Sequence, residues 1–344
     1  MKSVGFKTKK ELVEELLKCA KSPSYFLKNY GMIQHPTRSL IPFSTFNYQD
    51  DLLEAFNKHR FNIILKSRQV GITTLIAGFI VWTLYFHQNK SVMILANKQE
   101  TAKNAIRAIR IMFQNLPKWM NLSKVSIDNK QSIELSNGSR VKASTTAMDA
   151  ARSESLSLLV IDEAAIIKKF DEVWTAAWPS LSRGGRAILS STPKGASGMF
   201  YKLYSQAQAN ENQFNCRFGT YINPDNPEEI FTDRLMWWTH PENTKEWFAN
   251  ETAGKSPREI AQEYGCSFLA SGDTFIFSEN ITRLDTQVKE PIEKTNFDRD
   301  KEPIPWFFVR KTDTKYVDEA THLVTVVNGP SLAKKLIYEF LNVN

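Results

Sequence analysis

The nine residues KSRQVGITT, Lys66 to Thr74, have the outline of a phosphate-holding loop. The familiar pattern ends in Gly-Lys-Ser/Thr, whereas here Gly71 is followed by Ile72, Thr73 and Thr74. Such a loop points successive backbone N–H groups at phosphate oxygens, and the following helix start adds a favourable dipole. Lys66, Ser67, Arg68, Gln69, Val70, Gly71, Ile72, Thr73 and Thr74 are therefore all candidate nucleotide contacts. Gly71 permits the close turn. Thr73 stands where a hydroxyl would ligate magnesium. Lys66, at the end of the entering strand, can fold over the same phosphates from the other side of the loop, and Arg68 is a second candidate charge. Taken alone, the stretch reads equally well as a strand–turn–helix junction with incidental basic residues.

Two further stretches bear on that choice. In LLVIDEAA four apolar residues run into Asp162 and Glu163. A carboxylate at the end of a parallel strand can hold a magnesium-bound water, and the next can orient the attacking water. In SSTPKG, 190–195, small hydroxyl residues end another strand and could sense a γ-phosphate, although taken alone the stretch reads first as a simple loop.

These residues need a scaffold. FNIIL, SVMILAN, LSLLVIDE and RAILSST predict strands. They alternate with helices predicted from Thr73, over KQETAKNAIRAIRIMFQNL, over FDEVWTAAW ending at Pro179, and over GMFYKLYSQAQA. Alternation of this kind predicts an α/β fold, a mostly parallel sheet flanked by helices, at roughly 46–208. SIELSNGSRVKAS predicts a hairpin turning at Asn137-Gly138. Before the core, 1–45 reads as a small leading unit. ELVEELLKCA has helical spacing, Ser22-Pro23 opens a second helix, and Pro36 and Pro42 bracket a connection. NYQDDLLEAFNKH predicts one more helix. From 209 to 280 the pattern loosens, with a strand near FNCRFGTYI, a turn-rich NPDNPEE, helical pieces at Leu235–Trp238 and Thr244–Ala249, and a helix capped by Ser256. The tail 281–344 carries Pro291, Pro303 and Pro305 and closes in a helical AKKLIYEFL.

In this order, YFLKNYGMIQHPTRSLIPF, NYQDDLL, KSRQVGITT, MILANKQETA, LLVIDEAAII and SSTPKG resemble the large terminase subunit of tailed bacteriophages over roughly residues 20–280. The resemblance implies a RecA-like P-loop (ASCE) ATPase core with a small accessory, or lid, subdomain made of 1–45 and part of 209–280. It implies ATP and Mg2+ as cofactors, and hydrolysis that drives double-stranded DNA into a procapsid. By position it makes Gln49 the adenine-reading residue, Asp162 a partner of the metal, and Glu163 the catalytic carboxylate. Ser191, Thr192 and Pro193 become the coupling segment, Arg68 an arginine completing the site within a subunit, and Arg152 a residue reaching a neighbouring subunit. Many members carry Lys where Ile72 stands; others place it at the loop's start, as Lys66 is here. The implied partners are double-stranded DNA, the portal protein, the small terminase subunit and further copies in a ring on the procapsid, with a monomer expected in isolation. The implied setting is the host bacterial cytoplasm.

Members also carry a nuclease domain of some 200 residues. The roughly 65 residues after GDTFI are too few for one, and Asp273, Asp285 and Asp298 have no strand context for a two-metal site, so nuclease activity is not expected. A helicase-like translocase would share the motifs but need a second motor domain. A non-catalytic DNA-binding or capsid-assembly module on a decayed ATPase core is favoured by Ile72 and opposed by Lys66, Thr73, Asp162 and Glu163.

Composition fits these readings without selecting one. Among 344 residues, 42% are hydrophobic and 24% charged, enough for a packed core. A net charge of +7 permits a polyanionic partner. Cys19, Cys216 and Cys266 lack metal-ligand spacing. The apolar run Leu75–Phe86, at 12 residues, suits a buried helix rather than a membrane span. Lys98, Lys103, Arg107 and Arg110 read as a solvated helix face, and Trp237, Trp238 and Trp247 as subdomain packing.

Overall fold

The computed structural model describes residues 8–35, 37–145, 155–268, 315–318 and 323–326. The chain divides into two compact units, Met1–Asp273 and Thr274–Asn344. In the second, the described residues form one antiparallel hairpin, strands Lys315–Asp318 and Leu323–Val326. Asp285, Asp298 and the 333–341 stretch of the tail, as well as Arg152 and Asp273 in the first unit, lie outside the described residues.

The first unit is built on strands β3 (Phe61–Lys66), β4 (Ser91–Leu95), β8 (Leu158–Asp162) and β9 (Arg186–Ser191). Their apolar residues alternate between two cores, as a pleated strand demands. Ile64, Ile94, Val160 and Ile188 face one core. Ile63, Leu65, Met93, Leu159, Ile161 and Leu189 face the other. The first core is completed by helices α1 (Lys9–Lys21), α2 (Pro23–Tyr30), α3 (Asn47–Lys58), α4 (Ile72–Phe86) and α5 (Gln99–Gln114). The second takes α6 (Phe170–Ala177) and α7 (Gly198–Gln208). The sheet is thus covered on both faces, which is why its central strands read as near-continuous apolar runs.

Strand order, rather than composition, sets the site. The parallel core runs β3-β9-β8-β4, so β9 lies between the strand that enters the phosphate loop and the strand that ends in Asp162. All of these strands point the same way, so their C-terminal ends share one edge of the sheet, where ligands of open α/β sheets sit. Beyond β4 the sheet continues through β7 (Arg140–Ser144), β6 (Ser132–Leu135) and β5 (Val125–Asp128). β6 and β7 make the expected hairpin, with Gly138 at φ 80°. β5 is an additional edge strand that the sequence reading did not foresee.

Several expectations in the looser region need correcting. FNCRFGTYI is not one strand: Phe214–Asn215 (β10) pairs with the start of β3, and Tyr221–Asn223 (β11) leaves to form a separate hairpin. NPDNPEE is not all turn. Asn226–Phe231 (β12) pairs with β11, and its Pro227 is tolerated because a two-stranded hairpin leaves outward N–H positions unneeded. Leu235 is not helical; Arg234–Leu235 (β13) pairs with Leu65 and Lys66, and only Trp237–Thr239 makes a 3-10 turn. The helix expected to end at Pro179 ends at Ala177 and continues as a 3-10 turn through Leu181, with proline in a first-turn position where its missing N–H is harmless. In the leading segment, β1 (Met32–His35) and β2 (Ser39–Pro42) turn the expected connection into a hairpin. Helices α8 (Lys245–Thr252) and α9 (Pro257–Glu263) complete the unit, and Ser256 and Glu259 form the capping box that starts α9.

Candidate nucleotide site

The phosphate loop leaves β3 at Lys66 and ends on α4. Gln69 takes φ 57° and Gly71 φ 66°, so the chain twice enters the left-handed region within three residues. Glycine does this freely; Gln69 does so at a cost. Gly71 also faces Gln49, whose Nε2 lies 3.0 Å from where a Cβ on Gly71 would stand. The Gln49 Oε1 accepts a bond from the Phe46 N–H at 3.1 Å, so its amide side is turned towards the loop. Neighbouring Tyr48 donates its hydroxyl to the Val70 carbonyl at 2.8 Å.

Ile72 explains the missing lysine. It is 2% exposed and packs in the first apolar core, so the position is a packing position in this chain. Val70 and Ser67 are also buried, whereas Arg68, Gln69 and Thr73 are exposed.

A buried positive charge stands instead at the strand end. Lys66 is 6% exposed, and its Nζ donates to Glu163 Oε1 at 3.1 Å across the intervening β9. Burial pulls its ammonium down, but Glu163, Asp162 and the hydrogen bond to Glu163 outweigh burial, so Lys66 stays charged with its pKa above the ordinary value. Asp162 accepts from Thr73 Oγ1 at 2.7 Å and from Ser190 Oγ at 2.6 Å. Its Oδ1 also accepts the Glu163 N–H at 3.0 Å. Glu163 itself sits at φ 56°, a strained setting for a residue with a side chain.

Ser191, Thr192 and Pro193, the segment expected to couple, lie beside this group. Ser191 Oγ accepts the Ala165 N–H at 3.1 Å and so ties the end of β9 to the loop that follows Glu163. Thr192 is 1% exposed, and its hydroxyl has no partner. Pro193 is buried. Arg68 is committed elsewhere: its Nε lies 3.4 Å from Glu263 Oε2, and its N–H donates to the Glu263 carbonyl at 2.8 Å.

Several participants went unnamed in the sequence reading. Ser190 had a signal, because it belongs to SSTPKG. Tyr48 adjoins Gln49. The remaining group is distant in sequence. Ser67 N–H donates to the Leu235 carbonyl at 2.7 Å, and Gln69 Nε2 donates to Glu251 Oε2 at 3.2 Å. Tyr264 donates its hydroxyl to the same Glu251 oxygen at 3.0 Å. Nothing local to the loop announces these contacts. The tryptophans behave as expected of packing: Trp237 stacks on Phe248 at 4.3 Å, and Trp247 meets Tyr264. Arg110 binds Asp128 at 2.7 Å, which removes it from the open face of α5.

Residues 63–283 match the family described as terminase large subunit, T4likevirus-type, N-terminal. The chain belongs to the large terminase family. Its fold is similar to the ATPase domain of a Thermus phage large terminase, with a TM-score of 0.53 at 19% identity, covering 66% of this chain and 95% of that one. It is also similar to the HK97 bacteriophage large terminase, with a TM-score of 0.55 at 17% identity, over 71% of this chain and 54% of that one. The match therefore spans about half of the HK97 protein. The terminase fold seen here is the RecA-like P-loop core expected from the sequence, a mostly parallel sheet flanked by helices.

The terminase residues fit magnesium and a nucleoside triphosphate. Thr73 and Asp162 place two hard oxygens together. One carboxylate and one hydroxyl are a donor set that would suit an ion completed by waters and phosphate oxygens. The unpartnered Thr192 hydroxyl adds a buried donor at the end of the strand between Lys66 and Asp162.

Proposed function

We propose that this chain is the ATP-hydrolysing motor that drives double-stranded viral DNA into a procapsid. The observation that supports this most is the pairing of Thr73 with Asp162 and of Lys66 with Glu163 across a single intervening strand. Gln49 and Tyr48 hold the base side of the loop. The loop amides and Lys66 take the phosphates. Thr73 and Asp162 would hold magnesium, which when bound would supply neutralisation of phosphate charge. Lys66 turning to phosphate frees the Glu163 carboxylate to orient the attacking water. Arg68 adds charge if it leaves Glu263. Ser191, Thr192 and Pro193 pass the state of the γ-phosphate to the loop after Glu163, and Arg152 would act on a neighbouring subunit.

In this reading 46–208 is the ATPase core, 209–280 supplies the remainder of the ATPase region together with part of the accessory lid, 1–45 supplies the rest of the lid, and 281–344 is a tail. The portal protein, the small terminase subunit and further copies in a ring are its partners, and the host cytoplasm its setting. The test is ATP hydrolysis by the full chain with and without linear double-stranded DNA and portal protein. Magnesium-dependent turnover stimulated by DNA is expected; no turnover under any of these conditions would return the decayed-core reading. The proposal also assigns no nuclease activity to this chain. Supercoiled plasmid incubated with the protein and magnesium or manganese should stay intact, and cleavage that survives Glu163→Ala would contradict it.

A further inference from the structure

The loops that follow the two chemical strands do not end at the nucleotide. The chain after Glu163 and the chain after Pro193 run along the two walls of a cleft of about 560 Å³. One wall carries Lys169, the other Lys202 with Tyr201. Lys168 and Lys194 stand exposed on the same two loops. The opposing charges are Asp171, which also lines the cleft, and Glu172, which pairs with Lys169 at 3.0 Å on the exposed surface. Two lysines and one aspartate thus line the cleft, with two more exposed lysines on the same loops outside the lining, and the Lys169–Glu172 ion pair is of the exposed kind that is worth little and yields to a stronger anion. The walls are joined behind the cleft by the Ala165 N–H to Ser191 Oγ bond, so a shift at Glu163 or at the end of β9 moves both.

We propose that this lysine-rimmed cleft grips the sugar–phosphate edge of double-stranded DNA. The inference rests on the motor reading above and adds where the duplex is held. Backbone contact without base reading needs flexible point charges on a concave wall, and lysine supplies them. The described residues lining the cleft include no Arg, Asn or Gln, whose bidentate forks read guanine and adenine, so the grip is indifferent to sequence, as a packaging substrate demands. Because the walls are the direct continuations of the Glu163 and Thr192 segments, the nucleotide state sets their separation.

The test uses the full chain and a labelled linear duplex in a fluorescence anisotropy titration over a series of salt concentrations. Lys169→Ala Lys202→Ala should bind at least roughly 10-fold more weakly at low salt, and its log–log salt slope should fall by about 2, one unit per lost phosphate contact. Its ATP turnover without DNA should match the parent, while stimulation by DNA falls. Lys103→Ala Arg107→Ala, on the outer face of α5, is the charge-matched control and should retain most of the affinity. Equal losses in the two double variants would reduce the cleft to general surface charge and overturn the proposal. So would unchanged binding in the cleft variant, or a parent chain that hydrolyses ATP but does not bind duplex. Failure of the parent to hydrolyse ATP would instead strike the motor reading itself.

Discussion

At the scale of single residues the site turns on how Lys66 and Glu163 divide their time. In the structure each neutralises the other, and Lys66 is held charged in a buried place by that pairing. Lys66→Ala should therefore do two things: weaken ATP binding sharply and leave the Glu163 carboxylate unopposed. Near-parental binding in an equilibrium titration would shift the phosphate contact to Arg68. Glu163→Gln keeps the reach of the side chain and removes its charge. A carboxylate whose work is done in the transition state adds little to ground-state affinity, so this variant should bind ATP about as well as the parent and hydrolyse it slower by at least roughly 10²-fold in single turnover. Asp162→Asn should behave differently, because Asp162 accepts from Thr73 and Ser190 and in the proposed reading would hold the metal with Thr73. Its magnesium-dependent binding should fall along with turnover. If Glu163→Gln turned over at the parental rate, Glu163 would not be the catalytic base.

At the scale of elements, packing around α4 positions everything at its N-terminus. Gly78 lies in the middle of this helix, where a Cβ would meet Leu27 Cδ1 of α2 at 2.8 Å and Phe43 Cε1 at 3.3 Å. The close approach of the two helices needs hydrogen there. Gly78→Val should overpack this contact and destabilise the chain by about 1–3 kcal/mol, read as a lower urea midpoint. An unchanged midpoint would mean that α2 can slide away at no cost. Elements of this kind were legible in the sequence where a strand is buried on both faces or a helix is amphipathic, as with β3, β4, β8, β9 and α5. The positions of Lys66 and Asp162 at the ends of β3 and β8 were legible for the same reason, because they terminate such strands. What escaped was pairing decided at long range. Arg234–Leu235 looks helical beside Trp237 and Trp238, yet the open edge of β3 recruits it as a strand. Asn226–Phe231 looks like turn because of Pro227 and its acids, yet β11 gives it a partner. Neither outcome is encoded within the segment itself.

At the scale of the molecule, two half-buried histidines make stability depend on acidity. Burial is the main influence that lowers the pKa of His87, beside Trp82, below its ordinary value; Lys90 and Arg186 lower it further, against a hydrogen bond that the ring donates to the Thr83 carbonyl. Burial also lowers that of His240, beside Phe46 and Tyr48, against the pull of Glu242. Each holds fewer protons folded than unfolded, so its contribution is present above the ordinary value of 6.5 and is lost as pH falls below it. The melting temperature should drop between about pH 7.5 and about pH 5.5, and less so in His87→Asn His240→Asn. An equal drop in parent and variant would place the acid sensitivity elsewhere.

The bonds from the phosphate loop to Leu235 and Glu263 also have a consequence in time. The loop residue Ser67 donates its hydroxyl to the Glu263 carbonyl, a partner 196 residues later in the chain. Translation adds about 5–20 residues per second, so a ribosome needs roughly 10–40 s to supply that partner after the loop has been made. During that interval the strand, the loop and its hydroxyls exist without the backbone acceptors that fix their conformation. A nascent chain halted before residue 235 would display every motif of the nucleotide site and yet lack the site.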